Sequence, residues 1–330
     1  MRAFEHFNAT TLEQAVAILG RYGGRARVIA GGTDLLGKLK DEILPKYPEA
    51  LVNLKSIPGL DYLREDRGTL KIGALTRLED IANHPAVKER FGALAQAAGR
   101  AASPHLREMG TLAGNICQDI RCWYYRYPNN RFPCLRKGGG RCYAVEGDNR
   151  YHSIFGGTVA NGCYAVHPSD TAPVLIALNA VVRTTKRTLP LEDFFDVKVG
   201  GTTVLDADEI VSEFEIPDPA GGARSHFMKF ALRKTIDFAI VNCAALIALQ
   251  GPTVAAARVC LNAVAVKPYR AQKAEAAIVG RELNEQTAAA AGEAAVAEAQ
   301  PLKDNGYMVQ LARVIVKRTL LACASNDPAA

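Results

Sequence analysis

No stretch of this 330-residue sequence is apolar for long enough to cross a membrane. Its first residues, Met1-Arg2-Ala3-Phe4-Glu5-His6, lack the apolar core of an export signal. The expectation is a cytoplasmic protein, exported only if a partner subunit carries it. A reducing compartment in turn argues against disulfides. There is no G-x-G-x-x-G and no G-K-[ST], so neither the Rossmann nor the P-loop way of holding a nucleotide applies. Short C-x-x-C hairpins, which mark most zinc sites, are also absent. The six histidines are scattered and form no Ser/His/Asp or Cys/His arrangement. No catalytic acid, base or nucleophile is therefore assigned. The apolar and charged fractions, 48% and 22%, are those of an ordinary soluble protein. The length calls for two or three domains.

What the sequence does have is a concentration of cysteine. Cys117, Cys122, Cys134, Cys142 and Cys163 are five of the eight cysteines and fall within residues 117–163. The segment is irregular, with Gly138-Gly139-Gly140 at its middle, and lacks the apolar periodicity that would bury thiols as ordinary core. A metal or iron–sulfur site is the expectation. The same segment is basic: Arg121, Arg126, Arg131, Arg136, Lys137, Arg141 and Arg150 face only Asp119, Glu146 and Asp148. Trp123, Tyr124, Tyr125 and Tyr127 interleave with the arginines. No nucleic-acid motif accompanies them, so nucleic acid is not expected as a partner. A four-thiolate cluster is net anionic, and surrounding cations stabilise it. Cys243, Cys260 and Cys323 sit in apolar patterns and read as core.

Along the chain, the first fifty residues read as a βαβ-like unit. A capping box, Thr11-Leu12-Glu13-Gln14, starts a helix with Leu12, Ala15, Val16 and Leu19 on its apolar face, and Gly23-Gly24 ends it. Val28-Ile29-Ala30 reads as a short buried strand, and Leu51–Leu54 as the next. Further strands are expected at Thr69–Ala74, Ala180–Thr185 and Glu209–Ile216, with helices at Val87–Arg100 and Thr171–Leu178. Asp218-Pro219-Ala220-Gly221-Gly222 reads as a linker. Beyond it, strands at Phe227–Leu232 and Arg258–Val266 alternate with helices at Phe238–Leu249, Tyr269–Val279, Glu285–Glu298 and Tyr307–Ala324.

Ala30-Gly31-Gly32-Thr33-Asp34-Leu35 follows a strand directly. Its glycines remove the Cβ atoms that would keep a pyrophosphate from the backbone N–H groups. Gly110-Thr111-Leu112-Ala113-Gly114-Asn115 immediately precedes the cysteine segment, and His167-Pro168-Ser169-Asp170 immediately follows it. If that segment is a loop closed on itself, Asn115 and Asp170 become neighbours and outline a pocket for an extended phosphate-bearing cofactor.

These motifs, with Asp208-Glu209-Ile210-Val211 and Phe227-Met228-Lys229, occur in an order that resembles the FAD-binding medium subunit of the molybdenum hydroxylases, the xanthine dehydrogenase family. The cysteine insert resembles the extra [4Fe–4S] loop of its 4-hydroxybenzoyl-CoA reductase and bacterial aldehyde oxidoreductase members. The resemblance implies an α+β fold: a two-subdomain FAD-binding domain over residues 1–220, followed by an α+β domain of the CO dehydrogenase flavoprotein type over 221–330. The subdomains would divide near residue 55, with the insert at about 117–165. It implies FAD held at its pyrophosphate by Arg27, Val28, Ile29, Ala30, Gly31, Gly32, Thr33, Asp34 and Leu35. Ala102, Thr111, Gly114, Asn115 and Asp170 would line the rest, with Ile210 or Val211 and Lys229 near the isoalloxazine. Cys122, Cys134, Cys142 and Cys163 would hold the [4Fe–4S] cluster, and Cys117 would be a packed thiol beside the flavin.

The implied partners are a molybdenum-cofactor large subunit, a [2Fe–2S] small subunit and an external electron carrier such as ferredoxin. The substrate of the complex would be an aromatic CoA thioester or an aldehyde. Ligand spacings of 11, 7 and 20 residues do not name the metal by themselves. A stand-alone FAD protein with a structural zinc loop, or a lone soluble flavin reductase, are the rival readings.

Overall fold

The computed structural model describes residues 1–157, 162–196 and 201–325. Three sheets organise it. The first is built from β1 (Glu5–Asn8), α1 (Leu12–Tyr22), β2 (Ala26–Ile29), α2 (Leu35–Lys40) and β3 (Ala50–Asn53), with all strands parallel in the order β1-β3-β2. Thr11 caps α1 by accepting from Gln14 N at 3.2 Å, and Gly23 ends it with φ +53°. Gln14 Oε1 bonds Thr10 N, not Thr11 N, so the box closes one residue early. Ala15, Ile18 and Leu19 bury against Ala26, Ala50 and Val52.

The second sheet is antiparallel, β4-β5-β8-β6-β7. Its strands are β4 (Leu63–Asp66), β5 (Thr69–Gly73), β6 (Val181–Thr184), β7 (Thr188–Pro190) and β8 (Val211–Pro217). Between β5 and β6 lie α3 (Leu78–Asn83), α4 (Pro85–Arg90), α5 (Gly92–Arg100), α6 (Pro104–Arg107), α7 (Leu112–Ile116) and α8 (Thr171–Ala177). The helix expected over 87–100 is two helices. Phe91 leaves helical φ/ψ at the break so that its ring can bury completely.

The third sheet, β12-β11-β10-β9, is also antiparallel: β9 (Ala223–Phe230), β10 (Val241–Gln250), β11 (Thr253–Asn262) and β12 (Tyr269–Arg270). Helices α9 (Gln272–Ile278), α10 (Glu285–Ala295) and α11 (Gly306–Ser325) cover one face. The expected helix Phe238–Leu249 is therefore wrong, since this segment is a central strand. Ala244 enters the core shared with α5 and α8, while Cys243, Ala245 and Ile247 enter the core under α10 and α11. A strand buried on both faces reads as a continuous apolar run, without the alternation that identifies a strand. The helix expected from Tyr269 begins only at Gln272, because Tyr269 and Arg270 pair with Leu261 and Cys260.

Among its described residues the cysteine insert has almost no regular structure. Its two ends meet in a pair of backbone bonds, Arg121 N to Val166 O at 2.8 Å and Val166 N to Arg121 O at 3.1 Å. It is therefore a closed loop hung between α7 and α8. Edge contacts link Tyr124, Tyr127, Phe132 and Tyr143 within it, with Tyr127 exposed to solvent. Asn305 Nδ2 fixes it to the last domain by donating to His152 O and Ser153 O. Among the described residues no helix is long and apolar enough to cross a membrane.

Candidate functional site

One cleft runs from the first sheet to the third. It is lined by the loop Arg27 to Leu35, by Ala102, Thr111, Gly114 and Asn115, by Asp170, by Ile210 and Val211, and by Lys229. The expectation of a buried strand at Val28 needs correction: β2 lies at the sheet edge, and Val28 is 37% exposed because it faces the cleft. The two glycine loops touch across the floor. A Cβ at Gly31 would lie 2.1 Å from Met109 O and 3.0 Å from Gly110 Cα. Gly32 has φ +73°, where a side chain is strained. Thr111 caps α7 by accepting from Gly114 N at 3.1 Å. A bed of backbone amides without side chains is what a pyrophosphate requires, so the residues fit an FAD dinucleotide.

The far end is a buried polar network. Asn115 Oδ1 accepts from Ser169 Oγ at 2.5 Å and Thr171 Oγ1 at 2.7 Å, which brings the two sides of the insert together. Asp170 pairs with Lys229 Nζ at 2.7 Å, both side chains 5% exposed. Lys229 Nζ also donates to Arg100 O, and Asn242 Nδ2 donates to Asp170 at 2.8 Å. Burial pushes the Asp170 carboxyl above its usual value, against the pull of Lys229 and Asn242. Lys229 is thus a held cation at the cleft, not a surface lysine.

The insert is bolted to the glycine loop by charge. Asp34 pairs with Arg126 at 2.7 Å and Arg121 at 3.3 Å and accepts from Asp119 N at 3.0 Å. Burial opposes the Asp34 charge, but Arg126, Lys38 and Arg121 hold its carboxyl below the usual range. Asp119 pairs with Lys38 of α2 at 2.8 Å and accepts from Tyr125 OH. Burial again acts against the Asp119 charge; Lys38 and Arg126 outweigh it and keep the carboxyl far below its ordinary value.

Cys122, Cys134 and Cys163 share one buried cluster with Ile43, Ile120, Tyr125 and Val266. Cys142 acts electrostatically on Cys134 and Cys163 and lines an open hollow with Arg141 and Tyr143. Burial raises the thiols of Cys122, Cys134 and Cys163, the last to about 11. His152 Nε2 lies 3.2 Å from Cys122 Sγ. Cys117 lies apart from the four, on the wall of the cleft, its thiol pushed by burial to about 12. Among the described residues no three His, Cys, Asp or Glu side chains converge as a single-ion site.

Lys38, Arg121, Glu209, Asp237 and Phe238 also line the cleft and were not anticipated. Phe238 was hidden by the helix expected to start there; it stacks under Arg121 Cζ at 4.0 Å. His167, fully buried, has Nδ1 3.3 Å from Asn262 Nδ2, and burial lowers its imidazole to about 4. Between pH 6.5 and 4 the unfolded chain binds a proton there that the folded chain does not. Stability should therefore fall as pH drops through that window, by about 1.4 kcal/mol per pH unit for this one group. Urea titrations at pH 7 and 5 should show a smaller fall for His167→Gln than for wild type. Equal falls would mean His167 does not titrate this way.

The family described as FAD binding domain in molybdopterin dehydrogenase matches residues 2–219, and the CO dehydrogenase flavoprotein C-terminal domain matches 226–323. The aldehyde oxidoreductase FAD-binding subunit PaoB of Escherichia coli is 36% identical, covering 97% of this chain and 96% of that protein. The carbon monoxide dehydrogenase medium chain of Hydrogenophaga pseudoflava is 29% identical over 97% and 96%. A solved structure of carbon monoxide dehydrogenase from the same organism superimposes with TM-score 0.78 at 28% identity, covering 98% of each chain.

Proposed function

The chain belongs to the FAD-binding medium subunits of the molybdenum hydroxylase family, which are oxidoreductase subunits, and on that premise we propose an electron-transfer role for it. It relays electrons between an external redox partner, FAD, a [4Fe–4S] cluster and the [2Fe–2S] and molybdenum subunits of one complex. That complex acts on an aldehyde or an aromatic CoA thioester; similarity to an aldehyde oxidoreductase subunit favours the aldehyde. FAD, when bound, exchanges electrons singly or in pairs, so this chain needs no acid or base acting on substrate. Its own residues position and tune. Arg27 to Leu35 cradle the pyrophosphate, while Ala102, Thr111, Gly114, Asn115 and Asp170 line the remainder. Ile210 or Val211 and Lys229 lie toward the ring, where the Asp170–Lys229 pair keeps a cation oriented. The FAD-binding part spans 1–220 and the C-terminal part 221–330.

The observation that carries this reading is that one cleft is lined by the glycine loops, by Lys229 and by Arg121, the residue beside Cys122. Cys122, Cys134, Cys142 and Cys163 are the cluster ligands. Support comes from the burial of Cys134 and Cys163 with Cys122 packed against them, from the electrostatic interaction of Cys142 with both, and from the cations around them, which offset a net anionic group. An external carrier such as ferredoxin would approach the cluster at the open hollow beside Cys142, lined by Arg141, Tyr143 and Glu146.

Cys134→Ser is the test, read as iron, acid-labile sulfide and flavin per chain in anaerobically purified complex. The expected outcome is loss of the [4Fe–4S] cluster, or its conversion to a form with less iron, with flavin retained, because a cubane cannot keep its ordinary ligation on three thiolates. Zinc without sulfide in the wild-type chain would support the structural-metal reading instead.

A further inference from the structure

The four-cysteine pocket holds two cations that its hydrogen bonds do not account for. The Arg136 side chain is 4% exposed, and among the described residues Nε, Nη1 and Nη2 have no hydrogen-bond partner. The carboxylate facing it, Asp119 Oδ1, is 4.0 Å away and accepts from Ile120 N. Lys137 Nζ also has no hydrogen-bond partner among the described residues and lies 5.6 Å from the centre of the Tyr125 ring. Arg136 acts electrostatically on Cys163, and Lys137 on Cys134 and Cys122. A guanidinium stays charged, and a buried charge needs an anion or several acceptors close by. Neutral thiols supply neither, whereas thiolates holding a cluster supply both negative charge and sulfur acceptors.

We propose that Arg136, seconded by Lys137, donates to the anionic cysteine-held cluster and raises its reduction potential. This inference rests on the [4Fe–4S] reading of the same site. Reduction adds negative charge to the cluster, and a fixed cation shielded from solvent favours that state. Arg136 is the more buried of the two, so its effect is the larger. Neither residue lines the flavin cleft, so the flavin midpoint should move less than the cluster midpoint.

The test is a potentiometric titration of the intact complex carrying Arg136→Gln, Arg136→Lys or Lys137→Gln. The reduced cluster is followed by electron paramagnetic resonance and the flavin by absorbance. Arg136→Gln should lower the cluster midpoint by roughly tenfold in the one-electron equilibrium, ~59 mV. Arg136→Lys should recover part of that shift, and Lys137→Gln should give a smaller one. Full iron with an unchanged midpoint in Arg136→Gln overturns the proposal. Iron loss from both Arg136 variants also overturns it, making the residue an element of assembly. A wild-type complex without iron and sulfide overturns the cluster reading itself, and this inference with it.

Discussion

Gly31→Ala should purify with far less flavin than wild type and with its iron unchanged. The added methyl has nowhere to go: its carbon would sit 2.1 Å from Met109 O, 2.8 Å from Met109 C and 3.0 Å from Gly110 Cα, all of them backbone. A flexible side chain could swing aside at small cost, but two backbone loops must separate. Overpacking of this kind costs on the order of 2–3 kcal/mol, which would weaken FAD binding by about 50-fold. The cost falls on the cradle because these same loops form its floor. Gly20→Ala is the control, since a Cβ there meets nothing within 4 Å. Flavin-to-protein ratio and the Kd of reconstitution measure the effect; wild-type occupancy in Gly31→Ala would mean the loops do not grip the cofactor.

The second large effect is expected from Asp119→Asn. This carboxylate faces Lys38 at 2.8 Å, Tyr125 OH and Arg136, and its side chain is nearly buried. Neutralising it leaves buried cations uncompensated, which costs about 3–5 kcal/mol. The penalty should be present at neutral pH and shrink as pH falls below about 4, where the unfolded wild-type Asp119 takes up its proton. Asp148→Asn removes an even shorter pair with Arg150, but one exposed to solvent, and should cost less than about 1 kcal/mol. Because Lys38 stands on the helix that leaves the glycine loop, Asp119→Asn should lower flavin and iron content together. That distinguishes it from Cys134→Ser, in which the clamp survives and the flavin stays. Urea unfolding with cofactor analysis reads both; equal stability of Asp119→Asn and Asp148→Asn would show that the clamp contributes nothing.

Within the first 220 residues, α1, β3, β5, α8 and β8 were legible in advance for local reasons, whereas α2, β4, α3 and β7 were not. Thr11 and Gly23 announce the limits of α1, and paired glycines after β2 announce a turn that side chains cannot follow. The cysteine insert is conspicuous because thiols accumulate where no apolar periodicity would bury them. The third sheet was harder. Ala244-Ala245-Leu246-Ile247-Ala248-Leu249 has good helix formers and no alternation, yet β9 and β11 flank it and helices cover both faces. Burial on two sides removed the period that would have identified it. Placing a helix there also hid Asp237 and Phe238 at the cleft.

By itself, the order of residues determined the chemistry on offer: two glycine loops without Cβ atoms, a lysine and an aspartate spaced far apart, and five thiols in a cationic segment. Local propensities and the absence of competing nucleotide motifs are encoded in neighbours, so they survive without a fold. Only the tertiary structure decided who meets whom. Lys229 meets Asp170, Asp34 meets Arg126, and Asp119 meets Lys38 across separations of 59, 92 and 81 residues. Such pairs form because burial makes an unpartnered charge too costly, and burial is a property of the packed chain.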